Sequence, residues 1–213
     1  MTSGKGDLTT SADSVVRRYR RIAPLYDLLD FPFEYGRYRK IRPLLFRGLS
    51  GRILDAGVGT GRNIPFYPPA AVMVGIDISP AMLAHAGQRR EALGAKVELR
   101  RVDVTRLDFP DDGFDAAIAT FLFCVLPEED QARALRELVR VVRPGGPIRL
   151  LEYVRPAGKF RRALAGLWEP WMEWAYGAGF DRRTEQHISE AGLQIGESRF
   201  VVDDLIKLIE VKA

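Results

Sequence analysis

The sequence predicts an α/β protein built on a mainly parallel sheet of seven strands that ends in an antiparallel hairpin. Between residues 52 and 154, short apolar runs alternate with segments of helical periodicity, which is typical of parallel strands joined by helices. Two further strands are predicted at 193–202 and 205–211, only two residues apart. A parallel crossover needs about a dozen residues, so this last pair is expected to be antiparallel.

Residues 1–50 are predicted to form a basic helical cap ahead of the sheet. Residues 11–23 repeat apolar side chains at i, i+3/i+4 and i+7 and carry arginines on the remaining surface, which is the pattern of a basic amphipathic helix. Another helix is expected over 35–49, where Gly48 and Gly51 mark its end. Cations outnumber acids in this cap, so it is the part of the chain best suited to an anionic surface.

Residues 51–154 are predicted to form the core of a single domain. The expected strands are 52–56, 72–77, 96–103, 114–120 and 148–154. The expected helices are 61–66, 80–93 and 128–142 in the core, and 184–191 beyond it. Ser79 can cap the second of these helices, which Pro80 opens.

Residues 155–183 interrupt the alternation, and residues 184–213 then supply the last helix and the hairpin. The interruption contains all three tryptophans of the chain, Trp168, Trp171 and Trp174, close to several Lys and Arg residues. Tryptophan beside cations suits a membrane interface, where amphipathic rings lie at the level of the headgroups. The alternative is an aromatic lid that packs over a pocket without contacting lipid.

Composition limits the classes of protein that the chain can represent. The single cysteine, Cys124, excludes an internal disulfide framework and a cysteine-based metal site. The chain lacks both an apolar run of about 18 residues, which a membrane span would need, and the apolar core of a signal peptide. We therefore expect a cytoplasmic protein without a metal, and the basic amphipathic helix adds the expectation that it associates peripherally with the inner face of the membrane. His85 is expected to be structural and His187 to be a solvated surface residue.

A glycine-rich turn follows the first strand. That strand delivers Asp55 to its carboxyl end, and Gly57, Gly59 and Gly61 come next at alternate positions. Glycine lets the backbone turn tightly and approach a ligand closely. A GxGxxG turn would suit a pyrophosphate. This turn reads GxGxG instead, and the preceding Asp55 would repel a pyrophosphate. A cationic ligand fits better, and the turn resembles the glycine-rich motif of class I S-adenosylmethionine (AdoMet) methyltransferases.

Side chains at the ends of the next strands agree with a bound nucleoside. Asp77 can accept hydrogen bonds from both ribose hydroxyls, although it could instead only cap the following helix. Asp103 can accept from an adenine amino group while the Val104 backbone addresses the ring, unless Asp103 is an ordinary loop acid. Ile78 and Met82 could flank the adenine or could belong to the core. At the end of the fourth strand, the backbone at Thr120 would face the methionine part of the ligand.

The resemblance to this family extends over four segments in the expected order, LDAGVGTG, GIDISPAML, VDVTRLDFPDDGFD and RVVRPGG. It covers 52–154 in detail and the final hairpin in outline. It implies a Rossmann-like seven-stranded sheet in which only the last strand is antiparallel, with AdoMet as methyl donor and S-adenosylhomocysteine as product.

The acceptor of the methyl group must be selected outside this common sheet. The chain looks most like small bacterial phosphatidylethanolamine N-methyltransferases and related quinone C-methyltransferases, which share the IAPLYD segment at 22–27. The stretch 168–184 is also similar to membrane-associated thiol methyltransferases. A phospholipid amine would need an arginine for its phosphate and tyrosines for the amine. The candidates for this substrate positioning are Tyr19, Tyr26, Tyr176 and Arg182.

The predicted function is therefore N-methylation of phosphatidylethanolamine and its methylated intermediates toward phosphatidylcholine, with the helix at 11–23 contacting an anionic membrane surface. A quinone, a thiol or another lipophilic small molecule is the alternative acceptor. A nucleic-acid substrate is not expected, because residues 120–124 read TFLFC where amino-methylating nucleic-acid enzymes carry an Asn/Asp-Pro-Pro-Tyr pattern. A non-catalytic AdoMet-binding protein is the remaining alternative.

Overall fold

The computed structural model describes residues 34–159, 162–163, 166–167, 169 and 183–213. The predicted helix at 11–23 lies outside the described residues. So do the four substrate-positioning candidates and the tryptophans of the insertion, Tyr19, Tyr26, Tyr176, Arg182, Trp168, Trp171 and Trp174.

A seven-stranded sheet in the order β3-β2-β1-β4-β5-β7-β6 organises the described chain. Its strands are β1 (Arg52–Ala56), β2 (Val72–Asp77), β3 (Val97–Arg101), β4 (Ala116–Thr120), β5 (Pro147–Tyr153), β6 (Ile195–Val202) and β7 (Ile206–Lys212). The first five strands pair in parallel, and β7 is antiparallel to both β5 and β6. The predicted fold class is confirmed.

Helices cover both faces of this sheet. They are α1 (Arg39–Phe46), α2 (Pro80–Leu93), α3 (Glu128–Val141) and α4 (Thr184–Glu190). One buried cluster includes Leu135 and Leu138 of α3 with Ile188 of α4, and a second includes Leu45 of α1 with Ala86 of α2. Within the described ranges, no helix is both long and apolar enough to cross a bilayer.

Two predicted helices are shorter in the structure. The segment at 61–66 holds only a 3₁₀ turn, Ile64–Phe66, and Gly61, its first residue, has a φ of 80°, outside the right-handed helical region. The helix expected over 35–49 consists of a π-helical turn, Glu34–Tyr38, followed by α1. Its end beside Gly48, at φ 73°, agrees with the prediction.

Helix α2 begins and ends where the sequence predicts. The Ser79 hydroxyl oxygen accepts a hydrogen bond from the Met82 N–H at 3.4 Å, and Pro80 occupies the first turn. Gly94 ends the helix in the left-handed conformation at φ 59°, and its N–H donates back to the carbonyls of Arg90 and Glu91. These contacts satisfy helix-end groups that would otherwise lack partners, and they fix α2 against the carboxyl end of β2.

Candidate cofactor and acceptor site

Four polar side chains form a row along the carboxyl edge of the sheet. The register pairs Asp55 of β1 with Gly75 on one side and Ile118 on the other, and it pairs Thr120 with Leu151. Side chains alternate between the two faces along a strand, so Asp77, Asp55, Thr120 and Tyr153 all lie on one face, across β2, β1, β4 and β5. The strand order reverses direction at β1, which is where open parallel sheets bind ligands.

The glycine turn beside β1 leaves space at only one of its three glycines. A Cβ atom on Gly57 would lie 2.9 Å from Leu122 Cδ1, and one on Gly61 would lie 2.7 Å from Ile64 Cδ1 and 3.1 Å from Ala86 Cα. Gly61 therefore allows the turn to pack directly on α2. A Cβ on Gly59 would meet nothing nearer than the Gly57 carbonyl oxygen at 4.0 Å, so a ligand can reach the backbone there.

Asp77 ties this turn to the end of β2. Its carboxylate accepts hydrogen bonds from the Gly59 N–H at 3.0 Å and from the Ser79 N–H at 2.8 Å. Burial raises the pKa of Asp77 to about 6, and the hydrogen bonds from Ser79 and Gly59 oppose that rise. A half-buried carboxylate next to the open side of Gly59 fits the ribose hydroxyls of a nucleoside.

Asp55 is completely buried, and two side chains donate hydrogen bonds to its carboxylate. The Tyr67 hydroxyl donates to Asp55 Oδ2 at 2.6 Å, and Asn63 Nδ2 lies 3.1 and 3.3 Å from the two carboxylate oxygens. Burial raises the pKa of Asp55 to about 6, against the opposing effects of Tyr67 and Asn63. Burial and the nearby Asp55 charge raise the pKa of Tyr67 as well.

Asn63 connects Asp55 with both neighbouring elements. Its Nδ2 donates to Thr120 Oγ1 at 3.0 Å, and its Oδ1 accepts from Arg42 of α1 at 2.8 Å. Sequence reasoning missed Asn63, Tyr67 and Arg42. A local pattern could have identified Asn63 and Tyr67. A buried carboxylate needs hydrogen-bond donors, and these two residues follow Asp55 by only 8 and 12 residues.

The adenine candidates lie at the far side of the same edge. Asp103 is half-buried, and its Oδ1 accepts from the Thr105 N–H and hydroxyl, both at 2.8 Å. Val104 is 7% exposed, Met82 is 2% exposed and Ile78 is half-buried. The adenine-contacting roles of these residues stay predictions.

On the other side of β1, a fully buried glutamate shapes the loop after β4. Glu152 of β5 accepts hydrogen bonds from the backbone N–H groups of Leu122 and Phe123 at 2.9 Å and of Cys124 at 3.1 Å. Burial raises its pKa to about 7, although these N–H groups oppose the rise. Phe121, immediately before this loop, has a φ of 54°, a conformation that is uncommon outside glycine.

Phe121 belongs to an aromatic cluster that also contains Tyr38 and Tyr153. The Phe121 ring stacks on Tyr153 with 4.6 Å between centroids and lies 5.1 Å from Tyr38. The hydroxyls of Tyr38 and Tyr153 are hydrogen-bonded to each other. The Arg42 guanidinium carbon lies 6.0 Å from the Phe121 centroid, so the Asp55 network and this aromatic cluster share Arg42.

The sheet and the glycine turn, with Asp77 beside it, define a class I AdoMet-dependent methyltransferase, and the chain belongs to this family. Residues 53–146 match the family model described as a methyltransferase domain. AdoMet is accordingly the cofactor, as the sequence predicts.

Relatives and solved structures agree with this assignment. The chain is 38% identical over 163 residues to a phosphatidylethanolamine N-methyltransferase of Cereibacter sphaeroides, a match that covers 72% of this chain and 76% of that protein. It is 37% identical over 145 residues to a demethylmenaquinone methyltransferase of Thermus thermophilus, with 65% of each chain covered. The crystal structure of a possible histamine N-methyltransferase from Thermotoga maritima has a TM-score of 0.68 at 18% identity, and the match covers 92% of this chain and 99% of that one. The two sequence relatives carry the names of different acceptors, so family membership leaves the acceptor open.

Proposed function

We propose that the protein N-methylates phosphatidylethanolamine and its methylated intermediates toward phosphatidylcholine at a membrane surface. The observation that supports this most is the charge around the aromatic cluster. Exposed Arg37 and Arg39 flank Tyr38 in sequence, and exposed Arg155 and Lys159 follow Tyr153 closely. Since Tyr38 and Tyr153 are in contact, both groups of cations lie at the carboxyl edge of the sheet.

This basic rim, Arg37, Arg39, Lys40, Arg155 and Lys159, has no acid within its own segments. The sequence contains no Asp or Glu over 36–50 or over 154–163. One acid from outside these segments approaches the rim, since Glu169 lies 3.6 Å from Arg155, so the rim keeps an excess of cations. Cations in excess are attracted to the negative surface potential of anionic lipid, by about 1 kcal/mol per residue close to the surface. The rim therefore suits an enzyme that takes its acceptor from a bilayer.

The chain's own residues have separate tasks in this proposal. AdoMet supplies an electrophilic methyl group when it is bound. Asp77 and the open backbone at Gly59 would hold its ribose and methionine parts, and the Asp55 network would keep the turn in place. Catalysis then consists mainly of alignment and the exclusion of water. The roles of Tyr19, Tyr26, Tyr176 and Arg182, and the membrane contact through the helix at 11–23, stay predictions of the sequence.

A quinone C-methyltransferase is the second candidate. The 37% identical relative is named a demethylmenaquinone methyltransferase, and the stacked rings of Phe121 and Tyr153 present apolar faces on which a flat quinol ring could pack. The exposed cations support this candidate less, because with a quinone acceptor they would serve only to hold the enzyme near a membrane.

One experiment separates the candidates. The full chain is incubated with methyl-labelled AdoMet and three acceptors in turn: vesicles of phosphatidylethanolamine with phosphatidylglycerol, a demethylmenaquinol, and an alkyl thiol. The proposal predicts label in mono-, di- and trimethylated phosphatidylethanolamine. Transfer to the quinol or the thiol alone would overturn it, and AdoMet binding without transfer to any acceptor would favour a non-catalytic protein.

A further inference from the structure

The order of the strands determines the side from which an acceptor must approach. Asp77 and Asp103 follow β2 and β3, which lie on one side of β1, whereas Thr120 and Tyr153 end β4 and β5 on the other side. If Asp77 holds the ribose, the sulfonium end of AdoMet points away from β3, toward β4. The nucleophile must then come from the ends of β4 and β5.

We propose that Tyr38, Phe121 and Tyr153 form the part of the acceptor site that receives the amine nitrogen. This inference rests on the proposed function, because it assigns an amine to the site. The three side chains lie on the face that carries Asp55 and Thr120, since Tyr153 is two residues beyond Leu151, the register partner of Thr120. Tyr38 is 6% exposed and Tyr153 is 9% exposed, so an amine bound there would be largely withdrawn from water.

The cluster is held rigidly, as a binding site for a reacting atom must be. The Phe121 N–H donates to the Leu151 carbonyl at 2.8 Å, and Glu152 holds the next three N–H groups. These contacts fix the Phe121 ring between Tyr38 and Tyr153. The hydrogen bond between the two phenol groups gives their oxygens a defined position beside the end of β4.

The chemistry of the cluster suits a neutral amine. Each phenol oxygen can accept a hydrogen bond from an N–H of the primary or the monomethylated amine while the nitrogen lone pair points elsewhere, so this contact serves the first two methylations and the dimethylated amine packs on the rings alone. Arg42 places a positive charge against the Phe121 ring, and this like charge together with burial disfavours the ammonium form, against the attraction that the aromatic faces and Asp55 exert on a cation. An entering ammonium thus loses one proton to solvent water, and the uncharged amine, the form that carries a lone pair, is the form that stays bound.

The test uses Tyr38→Phe, Tyr153→Phe and the double variant in the full chain. Binding of dihexanoyl phosphatidylethanolamine is measured by calorimetry with S-adenosylhomocysteine at saturation, and initial rates give KM and kcat separately. Each Phe keeps the ring and removes only the hydroxyl. Loss of buried hydrogen bonds predicts a dissociation constant and a KM for the lipid raised about tenfold to a hundredfold in the double variant, with the affinity for S-adenosylhomocysteine unchanged within about twofold.

Tyr67→Phe is the matched control, because it removes a phenol from the cofactor side, where the hydroxyl donates to Asp55. It is expected to weaken S-adenosylhomocysteine binding more than lipid binding. If the double variant does not fold, the two single variants carry the same comparison, with a smaller loss in each.

Three results would overturn the inference. Unchanged lipid binding and KM in the Tyr38 and Tyr153 variants would show that the phenols do not contact the acceptor. Equal losses for lipid and for S-adenosylhomocysteine would show a purely structural role. If the wild type methylates a demethylmenaquinol and not the lipid, the proposed function itself fails. If the Tyr38 and Tyr153 variants then lose only quinol binding, the cluster would receive a quinol hydroxyl or ring and not an amine.

Discussion

The cofactor side of the site, at the ends of β1, β2 and β3, is held by residues that are close in sequence, whereas the acceptor side joins distant ones. Asp77 contacts Ser79 and Gly59, which are 2 and 18 residues away. Tyr38 and Tyr153 are 115 residues apart. The contacts of Asp77 on the cofactor side thus form among neighbouring segments of the chain. The acceptor side depends on how α1 packs on the sheet, and it can change while the contacts of Asp77 stay the same.

This contrast implies that changes on the two sides have separable effects. Substitutions near Asp77 and Gly59 should change the affinity for AdoMet, and substitutions around Phe121 should change the acceptor. Arg42 and Asn63 connect the two sides, so variants at these two positions are expected to affect both.

Asp77→Asn is expected to have the largest effect. The amide carries no charge, and its NH₂ group would face the N–H of Gly59 or of Ser79, since the carboxylate accepts from both. Hydrogen bonds to a charged group are worth about 1.5–3 kcal/mol, so the dissociation constant for AdoMet should rise about tenfold to a hundredfold, as measured by calorimetry. Asp115→Asn is the control, because Asp115 accepts from the Arg52 N–H at the opposite edge of the sheet. Equal affinities in these two variants would contradict the assignment of Asp77.

Glu152→Gln is expected to destabilise the fold by about 1–3 kcal/mol, because a glutamine side chain cannot accept from all three N–H groups that Glu152 now binds. Chemical denaturation measures this loss. Glu197→Gln is the control, since exposed Glu197 pairs only with Arg199 on the edge strand, and exposed pairs contribute about 0–1 kcal/mol.

The pH dependence of stability gives a second measurement on Glu152. Its pKa is raised from 4.5 to about 7 in the folded protein. The folded state therefore binds more protons than the unfolded state between these values, and the free energy of unfolding should fall as pH rises through that window. The Gln variant should lack this component, and an identical slope in both proteins would contradict it.

AdoMet affinity should rise with pH by about tenfold or less between about pH 5 and 7, because an ionised Asp77 accepts hydrogen bonds better than a neutral one. The pKa values of Asp55 and Asp77 are both raised by burial to about 6, so the rise should be centred there and should level off above it. Asp77→Asn should flatten most of the curve. A dissociation constant that stays flat in the wild type would show that these acids do not bind in their charged form.

Gly59→Ala should have the smallest effect on stability and a specific effect on binding. Gly59 and Gly94 have similar positive φ angles, 55° and 59°, and a Cβ at either would meet no atom closer than 4.0 Å. Alanine should therefore cost about 1 kcal/mol of stability at each position. Only Gly59→Ala should weaken AdoMet binding, by about fivefold, because only there does the added methyl enter the ligand's space. Equal binding by both variants would contradict this placement.

Most of the fold could be predicted because its signals are local. The strands at 52–56 and 72–77 are single apolar runs, and their predicted limits coincide with β1 and β2. Ser79 and Pro80 predict the start of helix α2. The positions of Asp77 and the glycine turn could be predicted for the same reason, since each lies at the end of a strand that the sequence defines, while their contacts with AdoMet stay predictions.

The residues that sequence reasoning missed depend on long-range packing. Nothing near Tyr38 in sequence indicates that it contacts Tyr153. In the same way, nothing near Glu152 indicates that it binds the loop after β4. His187 was expected to be solvated, but it is 7% exposed, with its Nδ1 3.0 Å from Glu190 Oε2 and its Nε2 3.8 Å from Glu128 of α3. Its burial results from the packing of α4 on α3, which no local pattern specifies.

The most direct test of the central claim is a lipid extract from a bacterial host that makes phosphatidylethanolamine but no phosphatidylcholine, expressing the full chain and analysed by mass spectrometry. The proposed function predicts mono- and dimethylated phosphatidylethanolamine together with phosphatidylcholine, and their absence when the host expresses Asp77→Asn. An unchanged lipid profile in a host where the wild-type protein is folded and binds AdoMet would contradict the claim.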